Sequence, residues 1–278
     1  MFRLNARRFI SLPSFAFFNL NRLGGVKSHA KWPEEPLDLP FDQGGGFYFA
    51  SFREKLNSRY TIVQKLGWGQ HSSVWLAKDD QGTQPYVSVK ILSAHATVMQ
   101  NRVADELGLL CHLRDSALKS NHPGCRHIMT FIDNFEFVGP HGRHLCLVQS
   151  AMGTLPILRN GRFPVTVVKS IAKQLLCALS FLHSECHVVH TGVSTIAREF
   201  SMTECMGDLK LDNILVDLRY IEPAQADAAD KASINRVVSP ESATLSHPLH
   251  EFSLVEIDNL IKLSQFNIRL TDFGTGKS

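Results

Sequence analysis

The sequence lacks several features that would assign it to a specialised class of protein. Its six cysteines include no Cys-x-x-Cys pair and no histidine at a zinc-site spacing, so we expect reduced, mostly buried thiols in a reducing compartment. No eighteen consecutive residues are apolar, which argues against a membrane-spanning helix. A net charge of +3 is too small to indicate direct binding to nucleic acid. The remaining composition, 44% hydrophobic and 20% charged over 278 residues, is typical of a globular chain with one large or two small domains.

The N-terminal 33 residues have no acidic side chain. They contain six arginines and lysines threaded among phenylalanine and leucine, which is typical of a mitochondrial transit peptide, although Pro13 would interrupt its helix. A disordered basic leader is the alternative, so we expect an intracellular protein of the cytoplasm, nucleus or mitochondrion. From Trp32 to Gly46 the chain turns to proline, acidic residues and glycine, which predicts a linker. We therefore assign residues 1–49 to a leader and linker.

The hydrophobic pattern predicts strands first and a long helix later. Residues 60–63 and 74–77 form two β-rich runs around a glycine turn, which indicates a hairpin. The further predicted elements are a strand at 86–91, a helix at 98–113, strands at 127–137 and 144–148, a helix at 165–183, a short helix at 252–263 and a strand at 266–270 that pairs with 214–216. The helix at 165–183 should be deeply buried along a stripe formed by Val168, Ile171, Leu175, Leu176, Leu179 and Leu182.

A glycine-containing turn joins the first two predicted strands. Gly67 and Gly69 have no side chains, so the turn can lie close over phosphates and offer them backbone N–H groups. Ser72 replaces the third glycine of the usual G-x-G-x-x-G pattern. Taken alone, such a pair of glycines is more often a plain turn. The predicted nucleotide-binding residues of this segment are Leu66, Gly67, Trp68, Gly69, Gln70, His71, Ser72, Ser73 and Val74.

Lys90 lies on the third predicted strand, directly after three residues that are largely apolar. A lysine buried there without a partner would be costly, so a paired functional role explains its position better than a surface role does. We predict that its ammonium binds the α and β phosphates of ATP. Glu106, on the helix that follows, has the spacing to orient it.

Two later motifs supply the groups for phosphoryl transfer. The run from Asp208 to Asn213 has the form Asp-x-Lys-x-x-Asn, and Asp272 begins an Asp-Phe-Gly motif after another strand. We predict that Asp208 accepts the proton of the phosphate acceptor and that Lys210 contacts the γ phosphate. Asn213 and Asp272 would hold Mg²⁺. Each residue alone is more often a solvated loop residue, but their order and spacing together are specific.

The residues around the glycine turn carry a more specific resemblance. The run from Leu56 through Gly69 and the run from Ser73 to Asp79 resemble the SR-protein kinase family, with Trp68 and Trp75 the most distinctive positions. This resemblance covers about residues 50 to 276. It implies an α+β, bilobed serine/threonine kinase that uses ATP and Mg²⁺, with Arg-Ser-rich splicing factors as possible protein substrates. It also implies a complete small lobe at 50–155 and a partial large lobe at 156–278, with insertions at 192–207 and 217–265.

The sequence departs from the family pattern at three places. Sixteen residues, 192–207, separate His190-Thr191 from Asp208, and we interpret them as an insertion, with a retained intron as one hypothesis. Catalytic geometry tolerates displacements of only about an ångström, so this insertion bears on activity. The chain ends shortly after Asp-Phe-Gly, which we interpret as truncation before the activation segment. Gln149 and Ser150 replace a large apolar residue and an acid. An inactive nucleotide-binding fragment or pseudokinase is therefore the alternative to an active kinase.

Overall fold

A computed structural model of the chain describes residues 34–82, 84–100, 105–155, 163–188, 211–218 and 244–273. Its strands are β1 (Lys55–Leu56), β2 (Tyr60–Gly69), β3 (Ser72–Asp79), β4 (Tyr86–Leu92), β5 (Phe131–Gly139), β6 (Gly142–Ser150), β7 (Met152–Thr154), β8 (Ile214–Asp217) and β9 (Ile268–Leu270). Its helices are α1 (Ala94–Met99), α2 (Glu106–Lys119), α3 (Val165–Ser184) and α4 (Leu254–Lys262), with 3-10 turns at Phe41–Gln43, Pro123–His127 and Leu211–Asn213.

The larger sheet contains six antiparallel strands in the order β1-β2-β3-β4-β6-β5. The predicted β2–β3 hairpin and the third strand, β4, are confirmed. One face of this sheet buries a core in which Tyr60, Trp75 and Val89 are almost fully inaccessible to solvent. The strand predicted at 127–137 begins only at Phe131, because the 3-10 turn Pro123–His127 precedes it. The fixed φ of Pro123 suits the start of such a turn.

The single helix predicted at 98–113 is wrong, because two helices, α1 and α2, occupy this part of the chain. α1 ends at Met99, and the ψ of 141° at the next residue, Gln100, is extended rather than helical. α2 begins after Asp105, whose carboxylate accepts a hydrogen bond from the Gly108 N–H at 2.8 Å and so caps the helix. Glu106 is therefore the first residue of α2 and lies beside β4.

The smaller sheet is antiparallel, in the order β7-β8-β9. The predicted pairing of its last two strands is confirmed, with Ile214 opposite Leu270. The sheet shares a core with α3 and α4, to which Phe252 and Ile257 contribute fully buried side chains. A capping box formed by Ser253 and Glu256 begins α4, and the predicted short helix is confirmed. The described end of the predicted insertion, 244–265, is therefore part of the folded core.

The predicted helix α3 is confirmed, but its buried face differs from the prediction. Ile171 and Leu182 are buried as expected, whereas Val168 and Leu176 are exposed. Gln174 lies toward the smaller sheet, where its side chain donates to the Phe266 carbonyl and accepts from the Ile268 N–H. Apolar character alone does not identify this face, because Gln174, a polar side chain, forms hydrogen bonds with the backbone beside β9.

α3 is the one described helix whose length and composition would allow it to cross a membrane. A core helix passes the same test, and the Val167 and Phe181 side chains of α3 are buried against the rest of the protein. The composition of α3 is accordingly weak support for a membrane span.

Residues 34–46, predicted as a linker, pack against the larger sheet. Glu35 is buried and binds Lys65 of β2, and the Gly46 carbonyl accepts a hydrogen bond from the Ala94 N–H at 2.8 Å. Gly46 has a φ of +76°, a conformation that glycine adopts without a steric penalty. The linker prediction was wrong for these residues because ionic and backbone contacts hold them, and hydropathy does not detect such contacts.

The described cysteines, which exclude Cys205, form no disulfide. Cys146 and Cys186 are buried, and burial raises the pKa of both thiols above the ordinary range. The described cysteines are free, and their reduced state stays a prediction. Cys111, Cys125 and Cys177 are only partly buried.

Candidate nucleotide-binding cleft

A cleft is lined by residues from both sheets and from the start of α2. Its lining residues are Leu66, Gly67, Trp68, Val74, Ser88, Lys90, Glu106, Met129, Gln149, Ser150, Met152, Thr154, Asp212, Asn213, Leu215, Ser246, Pro248, Leu249, Thr271 and Asp272. The predicted phosphate-binding lysine, its acidic partner and the two predicted metal ligands therefore share one cavity, although they come from four separate parts of the chain.

Lys90 carries the fixed positive charge of this cleft. Its Nζ atom lies 2.6 Å from Glu106 Oε1 and 3.8 Å from Asp272 Oδ1. The Lys90 and Glu106 side chains are only 12% and 3% exposed. Burial alone would lower the pKa of Lys90, but the nearby carboxylates of Glu106 and Asp272 outweigh it and raise the pKa above its ordinary value. Lys90 is therefore charged throughout the physiological pH range.

The backbone on either side positions this ion pair. Lys90 lies on the central strand β4, which pairs with β3 and β6. Glu106 is held at the start of α2, where its N–H donates to Gln100 Oε1 at 3.1 Å. Because the strand and the helix are both anchored in the core, the backbone holds the Glu106 carboxylate close to the Lys90 ammonium.

Asp272 and Asn213 approach each other through the ends of the β8–β9 pair. The Thr271 N–H donates to the Asn213 carbonyl at 3.0 Å, and Asn213 is buried. Asp272 has a φ of +61°, a left-handed conformation that aspartate tolerates better than most residues and that is frequent at functional sites. Phe273 packs against the core clusters that include Leu110 and Leu270, which anchors the chain just after Asp272.

An amide oxygen and a carboxylate are oxygen ligands of the type that Mg²⁺ prefers. Mg²⁺ is commonly held by one or two carboxylates together with phosphate oxygens and water. Within the described residues there is no group of three or more His, Cys, Asp and Glu side chains that could enclose a metal. Asn213 and Asp272 therefore fit a metal ion that arrives with a phosphorylated ligand better than one enclosed by protein alone.

Only some residues of the predicted nucleotide-binding segment, 66–74, line the cleft. Leu66, Gly67, Trp68 and Val74 line the cleft, whereas Gly69, Gln70, His71, Ser72 and Ser73 are not among its lining residues. Ser73 is buried, and its Oγ accepts a hydrogen bond from Trp75 Nε1 at 2.9 Å. Burial, followed by the proximity of His95 and Lys90, lowers the pKa of His71. Only part of the predicted set therefore lines the cleft.

One part of the cleft lining combines apolar and neutral polar groups. Met129, Met152 and Leu215 provide apolar surface. Ser88 Oγ lies 3.3 Å from the carbonyl oxygens of both Gln149 and Ser150, which share its single hydroxyl proton. This arrangement suits a flat heteroaromatic ring that packs between apolar side chains and forms hydrogen bonds at its edge.

Some predicted positions lie outside the described residues. They are the predicted catalytic residues Asp208 and Lys210, the His190-Thr191 pair and the predicted insertion at 192–207. Conversely, several cleft residues were not among the predicted site residues, and three of them, Ser246, Pro248 and Leu249, belong to the predicted insertion at 217–265. They are far from the glycine turn in the chain, and no motif marks them.

Comparison with known proteins supplies relatives but no domain signature, since no family model matches the chain. A serine/threonine protein kinase of Aspergillus fumigatus is 35% identical over 184 residues, 64% of this chain and 44% of the relative. The serine/threonine-protein kinase SRPK of Physarum polycephalum is 32% identical over 62% of this chain and 37% of its own length. SRSF protein kinase 3 of Mus musculus is 30% identical over 69% of this chain and 33% of its own length. The chain thus spans less than half of each relative, and these relatives confirm the resemblance to the SR-protein kinases.

Proposed function

We propose that this chain, a homologue of SRPK-type serine/threonine kinases over about two thirds of its length, binds ATP with Mg²⁺ and transfers the γ-phosphoryl group to protein serine or threonine. The observation that carries the proposal is the ion pair between Lys90 and Glu106 in the cleft that also contains Asn213 and Asp272. Phosphoryl transfer depends on positioning and on charge stabilisation, and these residues have the chemistry for both.

Each residue has one task in this proposal. Lys90, which its neighbours keep charged, binds the α and β phosphate oxygens, and Glu106 holds the ammonium in position. Asn213 and Asp272 would bind Mg²⁺, which, when bound, neutralises the charge on the phosphates. Gly67 and the neighbouring backbone of β2 cover the phosphates. Asp208 and Lys210 keep their predicted roles as proton acceptor and as γ-phosphate contact.

The adenine ring is proposed to lie between the apolar side chains of the cleft lining. Met129, Met152 and Leu215 would pack against its faces, and the backbone carbonyls of Gln149 and Ser150, which have two lone pairs each, would accept hydrogen bonds from its edge. The residues at these two positions differ from those expected in the family. We infer that backbone groups, which do not depend on residue type, provide most of the recognition of the base.

The substrate proposed is an Arg-Ser-rich protein, with no direct contact to nucleic acid. Support comes from the relatives, one of which is named an SRSF protein kinase. We assign the six-stranded sheet with α1 and α2 to the small lobe of a bilobed kinase. The smaller sheet with α3 and α4 forms part of the large lobe in this proposal.

A phosphate-incorporation assay tests this proposal. The purified full chain is incubated with radiolabelled ATP, Mg²⁺ and an Arg-Ser peptide, in parallel with Asp208→Ala and with Asp38→Ala, which changes an exposed acid. We expect incorporation by the wild type and by Asp38→Ala, and none by Asp208→Ala. Nucleotide-dependent thermal stabilisation without incorporation would instead indicate the alternative, a nucleotide-binding pseudokinase. Absence of both signals would overturn the proposal.

A further inference from the structure

Two segments from distant parts of the chain meet on β2 beside the cleft. We propose that Glu34 is a positioning residue for nucleotide retention: it fastens the segment 246–249 to Lys65 of β2, so that this segment forms one wall of the cleft and slows nucleotide release. We call the contact between Glu34, Lys65 and Ser246 the clasp. The inference rests on the proposed function, because it assumes that the cleft binds a nucleotide.

A single carboxylate makes the central contacts of the clasp. Glu34 Oε1 accepts from the Ser246 N–H at 2.8 Å, and Glu34 Oε2 accepts from Ser246 Oγ at 3.0 Å. The same Oε2 atom lies 2.6 Å from Lys65 Nζ. Hydrogen bonds to a charged group are stronger than neutral ones, and two parallel bonds also determine orientation. Glu34 therefore joins Ser246 to β2 with defined geometry.

Lys65 is a rigid anchor for this contact. Its side chain is 1% exposed, binds the buried carboxylate of Glu35 and lies 5.6 Å from the centre of the Trp75 ring. The backbone adds a second connection, since the Lys65 carbonyl accepts from the His247 N–H at 3.1 Å. The segment 246–249 is thus joined to one residue of β2 through both side-chain and backbone groups.

The residues that follow the clasp line the cleft on both sides. On β2 these are Leu66, Gly67 and Trp68, and on the other segment they are Pro248 and Leu249. A bound nucleotide that contacts both sides leaves most readily when they separate, and separation requires the clasp hydrogen bonds to break. Opening of such walls limits the rate of ligand release in many enzymes.

The exposure of the two acids separates this role from a purely structural one. Glu34 is 28% exposed, whereas Glu35 and Lys65 form a buried pair. Removing Glu34 leaves Lys65 paired with Glu35, so no isolated charge is left in the interior. Glu34 variants should therefore fold, and the change should appear mainly in the kinetics of nucleotide release.

Stopped-flow release of a fluorescent ATP analogue, preloaded with Mg²⁺ on the full chain, tests the clasp. For Glu34→Ala we expect release to accelerate by about tenfold with little change in the association rate constant, as for other losses of charge-assisted contacts. Glu34→Gln retains the acceptor oxygen for Ser246 and should recover part of the effect. Asp38→Ala, an exposed acid of the same segment, should behave as the wild type.

A double-mutant cycle with Ser246→Ala provides the decisive comparison. If Glu34 acts through Ser246, the effects of Glu34→Ala and Ser246→Ala on release will be strongly non-additive. Additive effects, or a release rate for Glu34→Ala equal to that of Asp38→Ala, would overturn the clasp while leaving nucleotide binding intact. A wild-type chain that does not bind the analogue at all would overturn the proposed function and the clasp together.

Discussion

Replacing Glu106 by glutamine removes the carboxylate that lies 2.6 Å from Lys90. Breaking a buried ion pair from one side costs about 3–5 kcal/mol. Asp272 remains 3.8 Å from the ammonium, and the glutamine oxygen still accepts a hydrogen bond, so we expect a smaller loss, about 2–3 kcal/mol. For a domain of this size, such a loss lowers Tm by about 4–12 °C.

The pH dependence of this loss follows from the Lys90 pKa, which the folded state raises. A raised lysine pKa stabilises the protein fully below the pKa of the unfolded state, about 10.4, and this stabilisation disappears as pH rises through the folded-state value. The contribution of Lys90 to wild-type stability should therefore be constant from neutral pH to about pH 10 and disappear above it, so the advantage of the wild type over Glu106→Gln should be lost at alkaline pH.

Thermal unfolding monitored by circular dichroism, together with ATP titration calorimetry, measures both consequences. Glu136→Gln is the matched control, because it removes the same charge from a surface pair with Arg143, which is 71% exposed. That change should cost no more than about 1 kcal/mol and leave ATP affinity unchanged. For Glu106→Gln we expect ATP affinity to fall about tenfold, equivalent to about 1.4 kcal/mol. Equal stability losses in the two variants, or unchanged ATP affinity in Glu106→Gln, would refute the assignment of Lys90 and Glu106.

Three further predictions concern the smaller sheet and α4. Asp272→Asn should weaken ATP binding, measured by calorimetry, about tenfold or more in the presence of Mg²⁺ but only slightly in EDTA. Equal weakening in both buffers would contradict metal binding by Asp272. Arg269→Met should lower the free energy of unfolding, measured by chemical denaturation, by about 3–5 kcal/mol, because Arg269 pairs with buried Asp217 and donates to the Ile128 carbonyl. Adding Asp217→Asn should restore part of this loss, because it removes the carboxylate that is left unpaired. Ser253→Ala should cost about 0.5–2 kcal/mol. Burial opposes ionisation of Glu256, but its hydrogen bonds with Ser253 lower its pKa overall. The stabilisation by the ionised Glu256 carboxylate is therefore fully present above the unfolded-state pKa of about 4.3 and is lost as pH falls below it. Thermal melts of the wild type and Ser253→Ala across that pH range would show this loss.

Much of the fold could be predicted because the responsible signals are local. The β2–β3 hairpin, β4 and the pairing of β8 with β9 follow from short apolar runs bounded by turns. The contact of Lys90 with Glu106 was also predictable, since a lysine within an apolar strand requires a partner and few acids are close enough in the chain. The roles of these groups in binding ATP and Mg²⁺ stay predictions that the assays above test.

Other features could not be predicted because residues distant in the chain create them. The division between α1 and α2 depends on capping by Asp105, which the apolar spacing does not reveal. Residues 34–46 contain few apolar side chains, yet ionic and backbone contacts hold them on the larger sheet. Phe252 and Ile257, within a stretch that is polar on average, are core residues because they pack in one cluster with side chains of α3 and of the smaller sheet.

The amino-acid sequence by itself determined which chemical groups are present and their order: the glycine turn, a lysine with an acidic partner, and two candidate metal ligands that each adjoin a strand. Only the tertiary structure decided that Lys90 and Asp272 lie 3.8 Å apart in one cleft. It also decided that Glu34 contacts both Ser246 and Lys65 of β2. The physical reason is the separation along the chain over which each effect acts. Strand and turn preferences act between neighbouring residues, whereas an ion pair or a shared cavity depends on how complete elements pack, and a local pattern does not contain that information.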